Sequence, residues 1–164
     1  MDPLPCTASR VEMTQLVLPQ DTNYHGTLFG GRLLQWIDVA GAIAAQRHCQ
    51  SKVVTASMDD MHFGVPIQLG DVVVLQAMVN YVHRSSMEVG VRVEREVLST
   101  GERVHAATSY LTYVALDDAG RPQVIPKVDP RTPTERRRHA DALTRREFRL
   151  KRREVIEARR AEES

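Results

Sequence analysis

Cysteine is nearly absent from this chain. Its two cysteines, Cys6 and Cys49, share no motif spacing with each other or with a histidine. That excludes a disulfide framework and fits a reducing, cytoplasmic setting. No apolar run is long enough to span a bilayer. The opening "MDPLPCTASR" lacks the basic segment followed by an apolar stretch that marks a secretory signal. Net charge is also small, at +1, but it hides an asymmetry. Residues 131–164 hold 12 Lys/Arg against 7 Asp/Glu, and the rest of the chain holds 10 against 14. The basic character therefore belongs to the tail. There is no internal repeat and no low-complexity tract. With 164 residues, 42% hydrophobic and 26% charged, the chain reads as one globular domain with a core of its own.

Acid is missing over one long stretch: between Asp21 and Asp59 the only acidic residue is Asp38. It sits in "NYHGTLFGGRLLQWIDVAGAIAAQ", which starts as a polar, glycine-rich loop and turns helical from about Leu33 to Arg47. Apolar or small residues occupy nearly every side of that helix, so it is expected to be enclosed by protein.

Around it the pattern is extended. Residues 9–17 read as a first strand, and 52–63, 71–83, 87–97 and 102–116 as four more. The run 87–97 alternates, with Met87, Val89, Val91 and Val93 on one face and Glu88, Arg92 and Glu94 on the other. Short turns between the strands favour antiparallel pairing. The tail starts at "TPTE", with Thr132 as N-cap, Pro133 as first helical residue and Glu135 as capping-box partner. It continues as a helix with a thin apolar stripe of Leu143, Phe148, Leu150 and Ile156. The expectation is an α+β domain over 1–130, a curved antiparallel sheet wrapped around one long helix. A basic C-terminal helix over 131–164 packs on the domain or extends from it.

Four ordered stretches, "NYHGTLFGGRLLQWIDVAG", "VVTASMDDMHFGVPIQLGDVV", "HRSSMEVGV" and "TYVALDDAGRP", together with the tail segment "TRREFRLKRR", carry a resemblance over Val11 to Arg153. The chain resembles the hotdog-fold acyl-CoA thioesterases, in the bacterial and brain-type acyl-CoA hydrolase branch. The resemblance implies a catalytic pair at Asn23 and Asp38. It also implies a hotdog dimer joined edge to edge, assembled further as a trimer of dimers, with each active site shared between subunits. Implied coenzyme A contacts fall on Thr55, Ala56 and Ser57, on Arg84, Ser85 and Ser86, and on Arg146 of the basic helix. His83 departs from the family pattern, in which a glycine often precedes that arginine.

The residues themselves suit thioester hydrolysis. A thiol leaving group has a pKa near ~8.5, by analogy with cysteine, and needs little acid assistance. One carboxylate then suffices, as base on a water or as nucleophile through a mixed anhydride. Burial is expected to raise the pKa of Asp38. Gly30 and Gly31, where the loop enters the helix, offer N–H donors for the oxyanion. Asn23 can orient the water or bind the carbonyl. The seven residues from Gly31 to Asp38 amount to roughly 10 Å of helix, too far for one thioester to touch both. Either the loop folds back, or the loop of one subunit faces the helix of another. Gly41 and Ala42, one turn beyond Asp38, are small enough to leave room for an acyl chain.

Other features carry less. Asp60 and His62 share a face in a strand but Asp59 does not, so no metal site is expected and no cofactor is implied. The tail lacks interleaved aromatics and its acids break the basic patch, which argues against nucleic acid; most of its charges read as a solvated, salt-bridged surface. Two rival functions are weighed. A hotdog hydratase or dehydratase would call for a histidine beside the helix acid, and His48 lies ten residues beyond Asp38 on another face. An acyl-CoA-binding module without turnover would be expected to have lost Asn23 or Asp38.

Overall fold

The computed structural model describes residues 1–162. A five-stranded antiparallel sheet is built from β2 (Val11–Leu16), β3 (Lys52–Met58), β4 (Val72–Val82), β5 (Ser86–Val97) and β6 (Glu102–Leu116), in the order β2-β4-β5-β6-β3. A separate two-residue parallel ladder joins β1 (Leu4–Pro5) to β7 (Val128–Asp129). The helix α1 (Gly30–Cys49) crosses the inner face of the sheet. On the outer face lies α2 (Pro133–Glu162), over β4 and β5. This is the hotdog architecture expected from the sequence.

The inner face follows from alternation. Met87, Val89, Val91 and Val93 are almost wholly buried, as are Val73, Leu75, Ala77 and Val79 on the neighbouring strand. Against them α1 presents Leu33, Ile37, Ala40, Ala44 and Ala45. Burial of Leu33 and Ile37 stabilises the fold by about 1.5–3 kcal/mol each. The helix ends where Gln50 takes a left-handed conformation, φ 52°, its N–H still bonded to the Gln46 carbonyl at 2.8 Å.

Two expectations need correction. First, α1 is not enclosed on every side. The sheet covers one face only, and Leu34, Val39 and Ile43 remain exposed at 36–45%. Second, the strand expected over 52–63 stops at Met58, and the segment beyond it follows β6 as a loop, tied at its ends by the Asp59 N–H to the Tyr110 carbonyl at 2.9 Å and the Gly64 N–H to the Ala106 carbonyl at 2.8 Å. Asp60 and His62 are therefore loop residues. The apolar stripe of α2 does not dock it, since Leu143, Phe148, Leu150 and Ile156 all stay exposed. Ala142, Arg145 and Arg149 face the sheet instead.

The capping box of α2 forms. Thr132 Oγ1 accepts from the Glu135 N–H at 3.1 Å, and the Glu135 carboxylate accepts from the Thr132 and Arg131 N–H groups at 2.8 Å each. The helix runs to Glu162, and the last two residues of the expected 131–164 segment lie outside the described residues. Beyond Leu150 its side chains are exposed, so the helix both packs on the domain and extends from it. Among the described residues no helix is long and apolar enough to cross a membrane.

Candidate active site

Asp38 lies midway along α1, half-buried, on the side that meets the β3–β6 edge of the sheet. Strand register pairs Thr55 with Tyr113, so both side chains stand on the inner face and reach the same carboxylate. Thr55 Oγ1 donates to Asp38 Oδ1 at 2.8 Å. The Tyr113 hydroxyl lies 3.0 Å from Oδ1 and 2.9 Å from the Asp38 backbone carbonyl. Oδ2 has no hydrogen-bond partner among the described residues. Burial, reinforced by the Asp38 charge, pushes the Tyr113 phenol far above its ordinary pKa. It stays protonated and serves as a donor.

Gly41 is small for a reason other than the one expected. A Cβ there would collide with the Tyr113 hydroxyl and come within 3.1 Å of its ring. The space one turn beyond Asp38 belongs to a tyrosine, not to an acyl chain.

Asn23 is occupied locally. Its Oδ1 accepts from the His25 N–H at 2.9 Å and the Thr27 N–H at 3.3 Å, and its Nδ2 lies 2.9 Å from Thr27 Oγ1. These bonds close a tight loop that needs φ +78° at Gly26. Asp21 anchors the loop to α1 through Arg32 at 3.1 Å. None of the Asn23 bonds reaches Asp38. Gly30 and Gly31 open α1, and the first N–H groups of a helix have no acceptor within it. Gly30 borders a cavity of about 310 Å³ with Leu28, Phe63 and Pro66. Within one protomer the expected donors and Asp38 are thus not brought together.

The outer face holds a second assembly. A cleft of about 260 Å³ between the sheet and α2 is lined by Ala56, Ser57, His83, Ser86, Arg146 and Arg153, with Thr112 at its floor. Thr112 Oγ1 is buried without a partner. Partial desolvation, then the charges of Arg146, Lys127 and Arg84, hold the His83 imidazole below its ordinary value. The cleft is therefore rimmed by cations, a setting that suits phosphate groups. A bulge at Ala56 links the two assemblies. The register steps from Thr55↔Tyr113 to Ser57↔Thr112, so residues two apart point to opposite faces.

Of the residues expected to meet coenzyme A, Ala56, Ser57, Ser86 and Arg146 share this cleft. Arg84 and Ser85 lie at the β4–β5 turn, where their carbonyls accept from Ile125 and Ala115 at 3.1 and 2.8 Å. Thr55 is on the other face, against Asp38. The sequence reading missed Tyr113, Lys127 and Arg153. Only strand register finds the first, and only the packing of α2 and the 122–127 segment finds the others. Among the described residues no cluster of three or more His, Cys, Asp or Glu could hold a metal ion.

The fold and a helix carboxylate held by two hydroxyls define a hotdog hydrolase scaffold. The family model of the Thioesterase superfamily matches residues 25–101, and the chain belongs to that superfamily. It is similar to an uncharacterised acyl-CoA thioester hydrolase of Bacillus subtilis, 50% identical over 140 residues that cover 85% of this chain and 81% of the relative. Among solved structures it resembles an apo hexameric acyl-CoA thioesterase at 44% identity and TM-score 0.90, covering 93% and 97% of the two chains. It also resembles the Staphylococcus aureus acyl-CoA hydrolase in complex with butyryl coenzyme A and coenzyme A, at 42% identity and TM-score 0.88, covering 97% and 96%. That hydrolase has further been solved with single Asn→Ala, Asp→Ala and Thr→Ala substitutions. The three positions are spaced 15 and 17 residues apart, as are Asn23, Asp38 and Thr55 here.

Proposed function

We propose that this protein hydrolyses acyl-CoA thioesters to a carboxylic acid and coenzyme A, with Asp38 as the reacting carboxylate. The observation that carries this is the single helix carboxylate whose Oδ1 is held by Thr55 and Tyr113 while Oδ2 has no partner among the described residues. Oδ2 takes a proton from water, or attacks the thioester carbon directly. Either route forms a tetrahedral oxyanion, which collapses with loss of the coenzyme A thiolate; direct attack leaves the acyl group on Asp38 as a mixed anhydride, which water then cleaves to the carboxylic acid and the free aspartate. Helix-terminal N–H groups at Gly30 and Gly31 hold that oxyanion, and Asn23 orients the water or the carbonyl. The cation-rimmed cleft takes the phosphates of coenzyme A, with Arg146 as the principal partner. No cofactor takes part, because coenzyme A is carried by the substrate.

The site works across a dimer interface, with Asn23 and the helix N-terminus of one protomer facing Asp38 of the partner subunit. Two features support this. Asn23 does not reach Asp38 in its own chain. In addition, β3 is an edge strand with exposed Val54, Thr55, Ala56 and Ser57, beside the exposed Leu34, Val39 and Ile43 of α1. An unpaired edge and exposed apolar side chains beside it call for a covering surface. A second copy supplies one, and three such dimers match the hexameric state of the similar thioesterase. The free thiols of Cys6 and Cys49 agree with a reducing, cytoplasmic setting.

Thiol release from a panel of acyl-CoAs tests the activity; tight binding without release leaves the acyl-CoA-binding module instead. Mixing Asn23→Ala with Asp38→Ala subunits tests the shared site. Mixed dimers carry one intact site, so activity should exceed that of either parent. If the mixture gains nothing, the interfacial arrangement is wrong.

A further inference from the structure

A carboxylate that must act with one oxygen needs the other held, and the held oxygen here has two donors from two strands. Thr55 reaches Oδ1 from the edge strand β3, which is exposed. Tyr113 reaches it from β6, where its side chain is fully buried. The tyrosine hydroxyl also lies 2.9 Å from the Asp38 backbone carbonyl, so its one proton is shared between two oxygens of the same residue. The phenol fits only because position 41 has no side chain. A glycine in the middle of a 20-residue helix costs helix stability relative to alanine, which sets a price on the vacancy that the tyrosine fills.

We propose that Tyr113 is a positioning residue for Asp38: seated in the space left by Gly41, it locks the carboxylate so that Oδ2 is the oxygen presented to the reactant. It touches neither substrate nor water and acts through Asp38. Burial keeps the phenol protonated at every working pH, so the lock does not open by ionisation. Asp38 is the charged group coupled to that phenol, and Thr55 is its other polar neighbour. The inference rests on the reading of Asp38 as the reacting carboxylate.

The test uses the intact protein and one acyl-CoA that it hydrolyses, with Asp38→Asn as calibrator. In Tyr113→Phe, kcat is expected to fall about tenfold, the loss of roughly one hydrogen bond to a charged group, with KM within about twofold of wild type. Gly41→Ala reaches the same tyrosine without deleting its hydroxyl. It should lower kcat similarly, and the double variant should be no worse than Tyr113→Phe alone, because the two act on one contact. If Asp38→Asn is inactive while Tyr113→Phe keeps wild-type kcat, the inference is wrong. Losses that appear only in KM, or that scale with the unfolded fraction measured by circular dichroism, also overturn it. If Asp38→Asn is as active as wild type, the reading of the carboxylate fails, and the positioning role fails with it.

Discussion

Glu88 is the buried acid that holds α2 to the sheet, and Glu88→Gln should loosen that attachment. Its carboxylate, 2% exposed, lies 2.7 Å from Arg145 Nη2, 3.2 Å from Arg145 Nε and 3.1 Å from Arg149 Nη2. Asn80 Nδ2 adds a longer contact at 3.4 Å. Hydrogen bonds to charged groups contribute about 1.5–3 kcal/mol each, so three give a gross value of several kcal/mol. Part of this survives substitution. Arg145 still stacks on Tyr110, 3.5 Å from the ring centroid, and Arg149 keeps Asp59 at 2.6 Å. Glutamine also retains one acceptor oxygen, but its NH₂ faces guanidinium donors. Breaking a buried pair on one side costs about 3–5 kcal/mol when the partner is fully enclosed. The two arginines here are about a quarter exposed, which reduces the expected loss to about 2–3 kcal/mol. For a domain of this size that lowers Tm by roughly 4–12 °C. Thermal and urea unfolding at one fixed protein concentration, followed by far-UV circular dichroism, measures it. Replacing Glu88 and Arg145 together by methionine should recover most of the loss, since the buried charge goes with its partner. A Tm within about 2 °C of wild type for Glu88→Gln would refute the reasoning, because the network would then be too solvated to anchor the helix.

His48 predicts how stability depends on pH. It is almost fully buried, with Nε2 2.8 Å from the Pro126 carbonyl and no partner for Nδ1, and burial lowers its pKa below 6.5. The native state therefore binds fewer protons than the unfolded chain. The stability this confers is complete above about pH 6.5 and is lost as pH falls toward the lowered native value. Melting curves from pH 7.5 to 5.5 should show the decline, and His48→Gln should flatten it. At the start of α2, Thr132→Ala removes the acceptor for the Glu135 N–H and should cost about 1 kcal/mol. Unfolding in urea checks this, with the first turn of α2 expected to lose amide-exchange protection before the sheet does.

The inner face of the sheet was legible because alternation over 87–97 leaves little choice of side. The α2 start was legible for the same local reason: Thr132, Pro133 and Glu135 carry their own instructions. Asp38 stood out as a lone acid in an apolar run. Its partners did not, because Thr55 and Tyr113 meet it across 17 and 75 residues, through a register that a one-residue slip would undo. Gly41 was read as vacant space, since a sequence shows that a side chain is missing and not what fills the gap. The docking face of α2 was not legible: its thin apolar stripe stays exposed, and the sheet beneath offers Glu88, a buried carboxylate that arginines answer better than leucines do.

The bulge at Ala56 makes one strand edge serve two rooms. Thr55 opens onto the carboxylate and Ser57 onto the cationic cleft, although a regular strand would turn both the same way. On the proposed reading, a molecule gripped on the far side of the sheet reaches the acid only if its connecting arm is long enough to round that edge. On that reading the fold works as a gauge of tether length.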